Sequence, residues 1–294
     1  MKIKSADERL FGAIGYTYIA VMALLCLLPF LLILGSSFSS EQSIIRHGYS
    51  LFPREFSLAG YEIAFRNPDV LLQSYAVTLF VTAVGTVFGV TISMMTGYVL
   101  QRPDFEWRNK FSFFFFFTTL FNGGLVPWYI ICVKYFGLKN SIWALVLPTM
   151  VSVWNILLAK GFMRSIPFAI TESAKIDGAG DLRIFCTLIF PLSKPVMATV
   201  GLFTALMYWN DWFHSMVFIS NEKLYPLQYF LYKLLGDIQA VRSIMEQSGM
   251  YIESFPVESM KMALTVIVTG PIVLLYPFVQ KYFVKGLTIG AVKG

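Results

Sequence analysis

Charge is what this chain of 294 residues has little of: Asp, Glu, Lys and Arg make up 14% of it, against roughly 25% in a soluble globular domain. With 56% hydrophobic residues and a mean hydropathy of +0.65, a water-soluble fold is excluded and a polytopic membrane protein is indicated. Cysteine is scarce as well. Cys26, Cys132 and Cys186 lie in apolar runs without paired spacing, which argues against a disulfide framework and against a metal knuckle. Two histidines, His47 and His214, cannot build a His-rich metal centre and read as loop or interfacial residues. No G-x-x-x-x-G-K-[ST] stretch occurs, so the chain does not bind ATP through such a loop. The net charge of +6 is scattered over short loops with no basic stripe interleaved with aromatics, so nucleic acid is not the expected partner. An intramembrane enzyme would need clustered Asp, His or Ser-Lys groups in its spans, and none stands out. The alternative transporter class, ion-coupled secondary transport, predicts inverted repeats and intramembrane charges, and neither is convincing here.

What the chain does have is six apolar runs, expected to span at about 12–34, 75–100, 111–133, 141–161, 185–212 and 262–280. A basic start before the first run imitates a signal peptide. The run exceeds the usual apolar core of about 7–15 residues and no A-x-A site follows it, so a retained helix is expected. The second run contains Gly85-x-x-x-Gly89, which can let another helix approach closely. Five consecutive phenylalanines, Phe113 to Phe117, read as lipid-facing bulk in the third. Asn122-Gly123-Gly124 and Pro127 then interrupt that run, and a non-helical break at membrane depth persists only where protein or a wet cavity surrounds it. Pro148 and Asn155 lie in the fourth run, Pro191 and Pro195 near the start of the fifth. Segments 35–74 and 213–259 are expected as external loops. In the second of these, Leu227, Phe230, Leu231, Leu234 and Leu235 recur with helical spacing between Pro226 and Gly236, predicting a short amphipathic helix.

Six spans place 1–11 and the tail 284–294 on one side. Fourteen of the 23 lysines and arginines fall on that side although its loops are shorter, which makes it cytoplasmic by the positive-inside rule. Segment 165–184 shares that side. There Pro167 suits the first turn of a helix, Gly178 can take the left-handed conformation that ends it, and Asp181 is placed to cap a second helix running into the fifth span. Phe168, Thr171, Glu172, Lys175 and Ile176 fall on one face of the first helix.

The residues Glu172, Ala174, Gly178 and Pro191 keep the register of Glu-Ala-Ala, three residues, Gly, nine residues, Ile-x-Leu-Pro, with Ser173, Leu188 and Phe190 as mild departures. The stretch therefore resembles the EAA loop of the membrane subunits of bacterial ABC importers. Trp209-Asn210-Asp211-Trp212 and the tail 280–294 resemble the carbohydrate branch, in particular its shorter, maltose-type permease subunit. The resemblance implies an all-α membrane protein of the type I importer fold with six transmembrane helices and a cytoplasmic coupling helix. It implies a non-catalytic permease of the bacterial inner membrane, working by alternating access on sugars, with oligosaccharides and acidic polysaccharide fragments among them. Implied partners are a second, homologous permease subunit, two ATPase subunits that use ATP and Mg, and an extracytoplasmic solute-binding protein. The family carries ATPase coupling onto Glu172, Ser173, Ala174, Lys175, Asp177, Gly178 and Ala179, and tail contact onto Gly290 and Lys293. Aromatic faces and amides near broken helices suit sugar rings, which makes Asn122, Asn155, Trp209, Asn210, Asp211 and Trp212 the substrate-pathway candidates. Which sugar is carried does not follow from these residues.

Overall fold

The computed structural model describes residues 6–248 and 256–291. Among them the regular structure is helical, apart from an isolated bridge between Ser39 and Phe56. Two compact units are formed, Met1–Pro68 with Lys233–Pro271, and Asp69–Tyr232 with Ile272–Gly294.

In the first unit, α1 (Ala6–Ser37) is followed by α2 (Glu41–His47) and α3 (Ala59–Ala64). The small polar end of α1 is what lets the loop close on it: Ser36, Ser37 and Ser39 are buried, and a methyl group at Gly35 would fall 2.1 Å from the Leu51 carbonyl oxygen. The same loop holds the start of the last helix, α14 (Val257–Ala291). Both carboxylate oxygens of Glu41 accept from backbone N–H groups there, of Glu258 at 3.0 Å and Ser259 at 2.9 Å. An anion on the positive end of a helix dipole is favourable, so the contact orients α14 as well as satisfying its free donors.

The second unit is built on α4 (Pro68–Gln101), a 34-residue helix that is long and apolar enough to cross a membrane, as are Leu10–Ser37 and Val257–Leu274. Three further pairs of helices pass that test together and are bent. α5 (Arg108–Leu120) and α6 (Leu125–Ile130) with its continuation to Tyr135 meet at 113°, short turns over Ile142–Thr149 and α7 (Val153–Met163) at 47°, and Asp181–Leu192 and α11 (Lys194–Trp209) at 84°. The punctuation residues explain the breaks. At the first, Gly124 takes φ +89° and Asn122 Oδ1 accepts from its N–H at 2.8 Å. In the second, the run expected as one helix over 141–161 is continuous only from Val153, with Pro148 inside the short turns. Around Ser193, Pro191 and Pro195 remove the donors that would carry the ladder across.

Two cores hold this unit. One gathers Val77, Val81, Leu145, Tyr208, Phe218 and Tyr225, and the other Met94, Tyr98, Met163, Ile184, Ile189 and Val200. The Gly85-x-x-x-Gly89 spacing faces α11: a methyl at Gly85 would fall 2.3 Å from the Tyr208 ring, and one at Gly89 3.1 Å from Thr204 Cγ2. The amphipathic helix expected to stop at Gly236 runs on as α13 (Leu227–Ser248). One interior glycine costs only about 1 kcal/mol, less than the helix-forming residues on either side of it contribute together.

Candidate functional site

Segment 165–184 forms α8 (Ala169–Ile176) and α9 (Asp181–Ile184), separated by a turn. Pro167 stands just outside α8, where its carbonyl accepts from the Ile170 N–H at 3.2 Å. The helix stops at a Schellman closure. The Gly178 N–H bonds the Lys175 carbonyl at 3.0 Å, the Ala179 N–H bonds the Ala174 carbonyl at 2.9 Å, and Gly178 takes φ +77°. Asp177 is the C-terminal cap residue, and the Ser173 hydroxyl bonds back to the Ala169 carbonyl at 2.9 Å.

The two faces of α8 differ from the expected pattern. Thr171 and Ala174 are buried, and Ala174 belongs to the core with Met94, Tyr98 and Ile184. Their small side chains serve packing inside the chain, so neither is presented outward. Glu172, Ser173, Lys175 and Ile176 are on the exposed side, and Ile176 is 85% exposed.

Lys175 is paired on that surface. Its Nζ donates to Asp104 Oδ2 at 2.7 Å and lies 4.0 Å from Asp181 Oδ1. Arg102, just past the end of α4, donates through Nε to Asp104 Oδ1 at 2.8 Å, through Nη2 to Asp104 Oδ2, and through Nη1 to Asp181 Oδ1 at 2.6 Å. The Arg102 hydrogen bonds, with that of Lys175 beside them, hold the Asp104 carboxyl well below the usual carboxylate range, and Asp104 in turn raises Arg102. Asp181 thus does not cap α9: Gly180 takes the cap position, and the Asp181 carboxylate is drawn to Arg102. Four alternating charges fasten α8 and α9 to the end of α4. Sequence reading counted Arg102 only as a topology charge and gave Lys175 a coupling role without this pairing, although the Arg102-x-Asp104 pair around Pro103 was a usable signal.

The substrate-pathway candidates differ in burial and in partners. Asn155 is buried and its amide donates to Thr204 Oγ1 at 3.1 Å, tying α7 to α11, and Trp209 is 4% exposed, so neither lies on the surface of this chain. Asp211 lies 2.7 Å from Nδ1 of His214 on α12 (Phe213–Phe218), with the His214 ring 5.4 Å from that of Trp128. Asn122 is exposed at the α5–α6 break. Asn210 and Trp212 come together with two α13 residues that the sequence reading missed. Gln228 Nε2 donates to Asn210 Oδ1 at 3.2 Å, and the Tyr232 ring stacks on Trp212 at 4.5 Å. Their i, i+4 spacing on the amphipathic helix was the available signal. Of the tail residues, Gly290 lies in α14 and Lys293 falls outside the described residues.

The sequence pattern of the family described as binding-protein-dependent transport system inner membrane component matches residues 89–289. The chain is 37% identical over 287 residues to the polygalacturonan/rhamnogalacturonan transport system permease protein YtcP of Bacillus subtilis, covering 98% of this chain and 99% of that one. It is 36% identical to protein LplC of the same organism, covering 97% and 96%, and 29% identical to its galactooligosaccharides transport system permease protein GanQ, covering 100% and 99%. Among solved structures, a bacterial ABC transporter involved in the import of the acidic polysaccharide alginate superposes with a TM-score of 0.81 at 28% identity, over 96% of this chain and 100% of that chain. The fold is accordingly the all-helical type I importer fold, and the chain is a transport subunit. It belongs to the family of inner-membrane permease components of binding-protein-dependent ABC import systems.

Proposed function

We propose that this chain supplies half of the pathway of an ATP-driven importer of acidic oligosaccharides and is driven through α8 by a separate ATPase subunit. The observation that carries the reading is the division of α8. Thr171 and Ala174 root one side in the core, the Asp104–Lys175 pair fixes its flank, and Glu172 and Ile176 are left exposed together. A rod held so firmly passes a push from outside straight into α4 and α11, which a solvated loop cannot do.

On this reading 165–184 and both termini face the cytoplasm, and a second, related permease completes the pathway above two ATPase subunits. ATP binding closes the ATPase pair, draws the two coupling helices together and opens the permease pair toward a solute-binding protein. Asn210, Gln228 and the stacked Trp212 and Tyr232 offer amides and an aromatic face of the kind that grips sugar rings. The saccharide class follows the relative named for polygalacturonan and rhamnogalacturonan and the structure of an importer of the acidic polysaccharide alginate.

Replacing Glu172 by Ala removes one charge-assisted contact, worth about 1.5–3 kcal/mol, and is expected to weaken ATPase association at least about tenfold and to lower uptake with it. Co-purification of the ATPase and uptake by proteoliposomes measure the two. Wild-type values in both would sink the coupling role.

A further inference from the structure

Beside the coupling segment, three cations, Arg108, Lys160 and Arg164, gather where α4, α5 and α7 meet. Lys160 Nζ donates to Ser112 Oγ at 2.7 Å, and Arg108 Nη1 donates to the carbonyl of Arg102 at 3.0 Å, across the end of α4. Arg164 follows one turn after Lys160, whereas Lys110, two positions from Arg108 and so on the other side of α5, sits 4.2 Å over the ring of Trp107. Among the described residues, none of the three stands within ion-pair distance of a carboxylate, whereas Arg102 and Lys175 close by are fully engaged. Asp104 is taken by that pair, and Glu106 on the same loop makes no ion pair with the three. The start of the 13-residue α5 adds to the positive field: its first turn has no acidic residue, and Trp107 offers no side-chain cap.

Next to these cations lies an apolar groove of 320 Å³ between α4 and α5, lined by Met95, Val99, Leu100, Phe105, Phe111 and Phe115. Ser112, which receives Lys160, sits on α5 between Phe111 and Phe115, so the cations stand beside the groove. An apolar channel with a cationic, donor-rich end has the polarity of one particular ligand. We infer that this is a binding site for an anionic phospholipid, its phosphate held by Arg108, Lys160 and Arg164 and an acyl chain lying along Phe111 and Phe115. Basic pockets between spans on the cytoplasmic side recognise anionic head groups for this reason. The inference rests on the six-span reading above, in which 101–110, between the second and third spans, lies on the same side as 165–184.

The test uses the assembled transporter in nanodiscs carrying photoactivatable phosphatidylglycerol or, in parallel, phosphatidylcholine. Wild type is expected to crosslink phosphatidylglycerol preferentially, at peptides within 95–116. Each cation removed should lower that crosslinking about fivefold. R108Q/K160Q is the principal variant; R164Q, at an exposed position, serves should the double variant fail to assemble, and K139Q is the control expected to behave as wild type. Equal crosslinking of the two lipids, no loss in either variant, or a groove covered by the second permease, seen as a protein crosslink from a photoreactive residue at Phe115, would each overturn the site. Labelling of a cysteine at Lys110 from outside the cell would instead overturn the orientation, and the crosslinks would still decide the site.

Discussion

Gly85 and Asp104 show two ways in which one side chain sets the geometry of this permease. At Gly85 the issue is room. The Tyr208 ring cannot swing aside easily, because it is buried and its hydroxyl donates to the Val146 carbonyl at 2.8 Å. Gly85→Val should therefore cost about 1–3 kcal/mol by overpacking, read as a lower unfolding midpoint of the purified complex, and adding Tyr208→Ala should recover part of it. A single variant as stable as wild type would contradict the close approach. At Asp104 the issue is charge. A carboxyl whose pKa is lower in the folded chain than in the unfolded one adds stability that is complete above the unfolded value of about 3.9 and is lost as the pH falls below it toward the folded value. Asp104→Asn should thus lower stability at neutral pH and converge with wild type in acid. Parallel pH curves for the two proteins would show that the Arg102–Asp104–Lys175 network does not act as drawn.

At the level of elements, the sequence announced where helices break better than where they touch. Proline and glycine act locally, so the interruption near Asn122 could be read directly, whereas those near Pro148 and Pro191 fell inside runs expected as single spans, and none of the angles of 113°, 47° and 84° was legible. Contacts between distant residues leave no such mark. Lys175 and Asp104 are 71 positions apart, and nothing in either neighbourhood names the other. The inward turn of Thr171 and Ala174 was missed as well, because the expected face was drawn through Glu172 and Lys175, on the polar side of an amphipathic helix. Gly178 is the case where a local rule went furthest. A side chain there would meet nothing within 4 Å in the chain, so its φ of +77° is the whole constraint on substitution. Gly178→Asn, which tolerates the left-handed region, should keep most uptake, and Gly178→Val should lose most of it while the protein still reaches the membrane. Equal loss in both would move the explanation from backbone strain to contact with the ATPase.

For the molecule as a whole, the question is what covers its apolar surface and which way round it sits. Of the most apolar stretch of α1 only 11% is buried within the chain, against 44% in α4. α4 is therefore a central post of this chain's own packing, and α1 takes its cover from lipid or from a neighbouring subunit. The six-span reading, with each bent pair crossing once, fixes the sidedness of every loop, because an even number of crossings returns the chain to its starting side. Single-cysteine reporters test it in a background with Cys26, Cys132 and Cys186 replaced. An impermeant maleimide added to intact cells should label a cysteine at Glu222 and leave one at Ser173 unlabelled until the membrane is opened. Both positions are exposed, so access decides the result and burial does not. Should Ser173→Cys label from outside, α8 could not receive force from a cytoplasmic ATPase, and the firm rooting of its Thr171 and Ala174 face would need another purpose.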